Sequence, residues 1–133
     1  MARILVIEDS EELSRLVCRI LAPTGHDVVV AASGAEGIRI FREKAADLVI
    51  TDIFMPEMDG LEVIRTLRRE SSAFRVIAIS GGGAMGNVDI LRSAKQMGAD
   101  CILAKPFRFQ ELLKVVAELL AAPPAAGGPA AKA

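Results

Sequence analysis

The sequence predicts an α/β protein, a single doubly wound five-stranded parallel sheet with five helices. Three observations carry that expectation. Five short apolar runs rich in branched residues recur along the chain, as strands buried on both faces would. Each is followed by a stretch whose apolar residues fall at helical spacing, and strict alternation implies parallel strands joined by right-handed crossovers with helices on both faces. Finally, 133 residues with 52% hydrophobic content suit one domain with an ample core.

The first strand is Arg3 to Ile7. Glu8-Asp9-Ser10-Glu11-Glu12 opens a helix, with Ser10 as a candidate cap; acids in a first turn suit the helix macrodipole, so Glu8 and Asp9 taken alone read equally as helix initiation. Leu13, Leu16, Val17 and Ile20 form its apolar stripe, Cys18 lies off it towards solvent, and Pro23-Thr24-Gly25 ends it. His26 to Ala31 is the second strand, and His26, a lone imidazole, reads as a surface or packing residue. The second helix starts at Ser33 or Gly34 with Ala35, Ile38 and Phe41 inward. Leu48 to Thr51 is the third strand. After the turn at Asp52, Leu61, Ile64 and Leu67 mark a third helix whose outer face carries Arg65, Arg68 and Arg69 as solvated charges.

Arg75 to Ile79 is the fourth strand and ends at Ser80. Gly81, Gly83 and Gly86 match a GxGxxG pattern, but a dinucleotide fold places it after its first strand, with an acid near the end of the next. Here it follows the fourth, so the glycines read instead as a mobile loop whose backbone can approach a ligand closely. Val88, Leu91, Ala94 and Lys95 belong to the fourth helix, closed by Gly98. Cys101 to Ala104 is the fifth strand, running into Lys105-Pro106, and Leu112, Leu113, Val116, Leu119 and Leu120 line the fifth helix. Residues 1–122 thus form the folded domain. Residues 123–133, low in complexity and rich in Ala, Pro and Gly, form a flexible tail.

Composition narrows the function. With 16 basic against 17 acidic residues, the net charge is −1 and no basic excess is available for phosphate backbones, which disfavours nucleic acid as a partner. Cys18 and Cys101 lack zinc-site spacing and are too few for a disulfide framework, so both read as reduced thiols of a cytoplasmic protein. The first apolar run meets Glu8 and Asp9 too early for a signal peptide, and no run reaches about 18 apolar residues, so no membrane association is expected.

In a parallel sheet all carboxyl ends point to one edge. Glu8, Asp9, Asp52, Ser80 and Lys105, scattered in sequence, therefore converge on one crevice. Three carboxylates there repel one another; two unit charges about 4 Å apart cost about 4 kcal/mol at an effective dielectric of about 20. Lys105 supplies one positive charge, and a divalent cation supplies the rest. An incomplete set of oxygen ligands favours Mg²⁺. Asp52 then stays ionised and can attack phosphorus to give an aspartyl phosphate, with Lys105 and the Ser80 hydroxyl stabilising the transferring oxygens. The crevice reads as a phosphoacceptor.

At these residues the chain resembles the receiver domain of two-component response regulators, the flavodoxin-like family of the chemotaxis regulator. The matching pieces are Glu8-Asp9, Asp52 with Met55-Pro56 and Met58-Asp59-Gly60, Ser80, and Lys105-Pro106-Phe107, in order between Arg3 and about Ala121. The resemblance implies strand order 2-1-3-4-5 and phosphorylation of Asp52 by a phosphohistidine on a sensor histidine kinase or histidine phosphotransfer protein. It also implies Mg²⁺ held by Asp9, Asp52 and the Phe54 main-chain carbonyl, with Glu8 reaching the ion directly or through water. Ser80 is expected to swing towards the phosphoryl group. The partner is expected to dock over the first helix and the Pro106-Phe107 corner, leaving Leu13 and Phe107 as partly exposed contacts, although Leu13 reads equally as core. Output through the helix 4, strand 5 and helix 5 face to a separate target, and a monomer or weak homodimer, complete the expectation.

Two departures stand out. Where the family often carries an aromatic switch residue, three positions before the lysine, this chain has Ile102, and the loop after Ser80 holds three glycines. Two rival readings follow from the same residues. A phosphohydrolase would need a second carboxylate two residues after Asp52, where Phe54 stands, and a nucleotide-binding glycine loop would need affinity that survives loss of Asp52.

Overall fold

The computed structural model describes residues 1–80 and 88–121; the glycine loop after Ser80 and the Ala/Pro/Gly tail lie outside the described residues. Strands β1 (Arg3–Ile7), β2 (Asp27–Ala31), β3 (Leu48–Asp52), β4 (Arg75–Ser80) and β5 (Cys101–Ala104) form one sheet in the order β2-β1-β3-β4-β5. Every neighbouring pair is parallel, with Ile4 opposite both Val28 and Leu48, Ile50 opposite Ile77, and Ser80 opposite Ala104. The helices are α1 (Glu11–Leu21), α2 (Gly34–Glu43), α3 (Gly60–Glu70), α4 (Val88–Met97) and α5 (Phe109–Ala121), with a 3₁₀ turn at Ala22–Thr24. This is the doubly wound α/β fold and the strand order expected.

Alternate strand residues feed two cores. Leu5, Ile7, Val49, Val76 and Ala78 face α2, α3 and α4, where Ile38, Phe41, Val63, Ile64, Leu67 and Ala94 meet them. Ile4, Val6, Leu48, Ile50, Ile77 and Ile79 face α1 and α5, packing on Val17, Ile20, Leu21, Leu112 and Val116. Successive side chains of a strand point to opposite faces, so covering both faces demands a continuous apolar run. That demand is what made the strands conspicuous in the sequence.

Helix starts follow local chemistry. Ser10, Ser33 and Asp59 each adopt extended backbone and accept a hydrogen bond from the N–H three residues on, capping α1, α2 and α3. The strands gain or lose a single terminal residue against expectation: β2 begins at Asp27 and β3 includes Asp52. His26 lies just before β2, and its Nδ1 accepts from the Ala2 N–H at 3.1 Å, which is a packing role.

Two expectations about helix faces fail, and a third, Cys18 off the stripe towards solvent, holds in part. Ala35 is exposed; the buried stripe of α2 is Gly34, Gly37, Ile38 and Phe41. The helix lies so close to β1 that a Cβ on Gly37 would stand 2.4 Å from Ile7 Cδ1, so glycines, which carry no hydrophobic signal, define the inward face. Cys18 is half-buried, and that burial pushes its thiol pKa up. Arg68 is the clearest correction, because its side chain is only 9% exposed. Its guanidinium lies 4.3 Å from the Phe74 ring centroid and donates to the carbonyls of Phe74 and Gly98 and to Asp100 Oδ2. Asp100 also accepts from Val76 N–H and pairs with Arg75, so Arg68 ties the end of α3 to β4 and to the start of β5.

Candidate functional site

Asp52 is the last residue of β3 and only 4% exposed. Both of its carboxylate oxygens are held: Oδ1 accepts from the Phe54 N–H at 3.0 Å and Oδ2 from Lys105 Nζ at 2.7 Å. Lys105 reaches it because β5 ends one residue earlier, and the Lys105 N–H donates to the Ser80 carbonyl at 2.7 Å, fixing the β5 exit against the β4 exit. Ser80, itself 4% exposed, sits one position beyond Ile79, the strand partner of Asp52. The Lys105–Pro106 peptide is cis.

Glu8 and Asp9 arrive from the β1 exit. Together with Asp52 they place carboxylate oxygens within 4.8 Å of one another. Asp9 is exposed, whereas Glu8 is 4% exposed. Glu8 Oε2 accepts from the Ser10 N–H at 3.0 Å, while Oε1 is buried without a hydrogen-bond partner. Burial first, then the neighbouring Asp52 carboxylate, push the Glu8 pKa up to about 8; the Ser10 N–H and Lys105 oppose the rise. A buried, unpartnered carboxylate oxygen facing two more carboxylates is the environment a hard cation satisfies, and the all-oxygen donor set fits Mg²⁺.

All five residues expected to meet at the carboxyl edge are therefore at one place. Phe54 is two residues past Asp52, its N–H turned back onto the Asp52 carboxylate and its ring 46% exposed. Leu13 and Phe107 are half-buried against the α1/α5 core, and Pro106 is exposed beside Phe107. Leu13 also lines a groove of about 390 Å³ with Ser10, Glu12, Leu16 and Arg19. Ile102 is half-buried on the opposite face, against the core shared with α3 and α4. Ser10, expected only as a cap, also holds Glu8 through its main-chain N–H. The signal was present: an acid two residues before an N-cap can fold back onto the cap's own N–H.

This edge and this fold define a phosphoacceptor signalling domain. The model of the response regulator receiver domain matches residues 4–117, and the chain belongs to that family. Over 119 residues it is 33% identical to the chemotaxis protein CheY of Bacillus subtilis, covering 89% of this chain and 97% of that one. It is 36% identical over 110 residues to the probable transcriptional regulator ycf27 of Porphyridium aerugineum, covering 83% of this chain but only 44% of that longer protein. Among solved structures, a response regulator receiver domain protein from Clostridium thermocellum superposes with a TM-score of 0.81 at 32% identity, covering 91% of this chain and 95% of that one. Among the described residues, no helix is long and apolar enough to cross a membrane.

Proposed function

We propose that Asp52 is the residue phosphorylated, in a Mg²⁺-dependent transfer from a phosphohistidine on a sensor histidine kinase or histidine phosphotransfer protein. The observation that carries this reading is the pairing of a buried, doubly anchored Asp52 with the unpartnered Oε1 of Glu8. In the transfer an Asp52 carboxylate oxygen forms a bond to phosphorus as the bond from phosphorus to the donor nitrogen breaks. The leaving imidazole keeps that electron pair and takes up a proton. Lys105 Nζ, already on Asp52, is placed to follow charge onto the phosphoryl oxygens, and Ser80 supplies a hydroxyl from the neighbouring strand end. Glu8, Asp9, Asp52 and the Phe54 carbonyl would hold the ion, which supplies charge neutralisation among the acids and on the transferring group.

The phosphorylated state signals in trans through Ser80 and the α4/β5/α5 face, with Ile102 in place of an aromatic switch. Leu13, Pro106 and Phe107 form the docking surface of the phosphodonor partner, supported by the exposure of Pro106 and the partial exposure of Leu13 and Phe107. The domain spans residues 1–122, with 123–133 as a tail, and works in the cytoplasm as a monomer or weak homodimer. It assists its own dephosphorylation but lacks the second carboxylate of a turnover phosphohydrolase. The test is labelling by acetyl phosphate with and without Mg²⁺. Wild type takes label only with the ion and releases it once and slowly, and Asp52→Asn takes none. Label retained in Asp52→Asn places the acceptor elsewhere, and sustained phosphomonoester turnover makes the chain an enzyme.

A further inference from the structure

We infer that Gly60 is a positioning residue for the phosphoacceptor: by carrying no side chain it lets α3 begin against the main chain of Asp52 and so fixes where the carboxylate stands. The inference rests on Asp52 being the acceptor, as proposed above. Gly60 is the first residue of α3, is buried, and donates its N–H to the Ile53 carbonyl at 2.8 Å. Among the described residues the positive-φ glycines are Gly25 and Gly98, so the backbone of Gly60 does not itself call for glycine. On helix propensity alone, alanine would serve better there.

What excludes a side chain is contact. A Cβ on Gly60 would stand 2.2 Å from the Asp52 carbonyl oxygen, 2.8 Å from Ile53 Cα and 2.9 Å from the Asp52 carbonyl carbon. All three are main-chain atoms at the end of the acceptor strand. Gly37 offers the contrast, because a Cβ there meets Ile7 Cδ1 and Cγ1, which are side-chain rather than main-chain atoms. The main chain at Asp52 and Ile53 is itself held, since the Ile53 N–H is bonded to the Ile79 carbonyl at 2.9 Å. A methyl group at position 60 must therefore separate the start of α3 from the acceptor, and the Asp52 carboxylate moves with its main chain. Its contacts to Lys105 and to the Phe54 N–H leave little tolerance, and a displacement of about 1 Å can cost about 100-fold where reacting atoms must align.

The experiment compares Gly60→Ala with Gly37→Ala in the full chain. Two quantities are measured: the thermal midpoint, and the labelling rate per folded molecule with acetyl phosphate at saturating Mg²⁺. Both variants should melt lower than wild type, but only Gly60→Ala should slow labelling, by about tenfold or more. A merely structural role would move the midpoint and leave the rate per folded molecule unchanged. Gly60→Ala labelling at the wild-type rate, or slowing no more than Gly37→Ala, overturns the inference. If Gly60→Ala is unfolded in buffer, the assay is repeated in concentrated sucrose, which favours burial. A chain still unfolded there also overturns it, because the residue is then needed for folding rather than placement. Failure of the acceptor reading shows separately, as a wild-type chain that takes no label or an Asp52→Asn chain that does.

Discussion

The two edges of the sheet handle buried charge in opposite ways. At the amino edge, Asp100 is saturated: Oδ2 accepts from Arg68 Nη2 at 3.0 Å and from the Val76 N–H at 2.7 Å, and Oδ1 pairs with Arg75 at 3.4 Å. The exposed Asp47 and Asp27 at the same edge accept from the Arg3 main chain and guanidinium, respectively. At the carboxyl edge, three carboxylates lie together, Lys105 pairs with Asp52, and Glu8 Oε1 is buried without a hydrogen-bond partner. At the amino edge Asp100 joins α3, β4 and β5. The carboxyl edge instead gathers three acidic side chains at one place, the pattern of a candidate functional site.

Substitutions at either edge sharpen the contrast. The largest effect belongs to Lys105→Met, which leaves Asp52 without its cation partner. Labelling by acetyl phosphate at saturating Mg²⁺ should fall by about 100-fold or more, in line with loss of one preorganised donor to transferring oxygens. A fall of only a few-fold would show the lysine to be structural. Next is Arg68→Met at the opposite edge. Removing one partner of a buried pair should destabilise the fold by about 3 kcal/mol or more in urea titration, with Mg²⁺ affinity of the folded protein unchanged. If Mg²⁺ affinity falls as well, the two edges are not independent.

The smallest effect is that of Glu8→Gln, which should weaken Mg²⁺ binding by about tenfold. Its pH signature tests the unpartnered carboxylate directly. The folded-state pKa of Glu8, about 8, lies above its ordinary 4.5, so between those values the folded chain binds more protons than the unfolded one. Without divalent cations, wild-type stability should therefore fall as pH rises through that window, and the Glu8→Gln chain should lack this slope. Saturating Mg²⁺ should flatten it in wild type. A wild-type slope equal to that of Glu8→Gln would mean that Glu8 is already satisfied.

Much of this was legible in the residues. The continuous apolar runs of β1, β3 and β4 announced strands covered on both faces, and Ser10 as a cap and Ser33 or Gly34 as a start marked α1 and α2 within a residue or two. Asp52, Glu8, Asp9, Ser80 and Lys105 could be grouped because parallel strands must exit on one edge. Helix faces set by glycine, and charges buried by partners far along the chain, were not legible. Gly34 and Gly37 define the inside of α2 through what they lack, and Arg68 looks like any surface arginine until Phe74, Gly98 and Asp100 close around it.

The sequence by itself determined the alternation of strands and helices, and with it the edge on which the acidic residues, the hydroxyl and the lysine gather. Those properties depend on periodicity and chain direction, which are local. Only the tertiary structure decided which charges are satisfied and which are not. The 2.7 Å Lys105–Asp52 contact, the bare oxygen of Glu8 and the absence of room beside Gly60 depend on distances between segments separated by tens of residues. Such distances are set by how helices and strands pack, and no single stretch of sequence contains them.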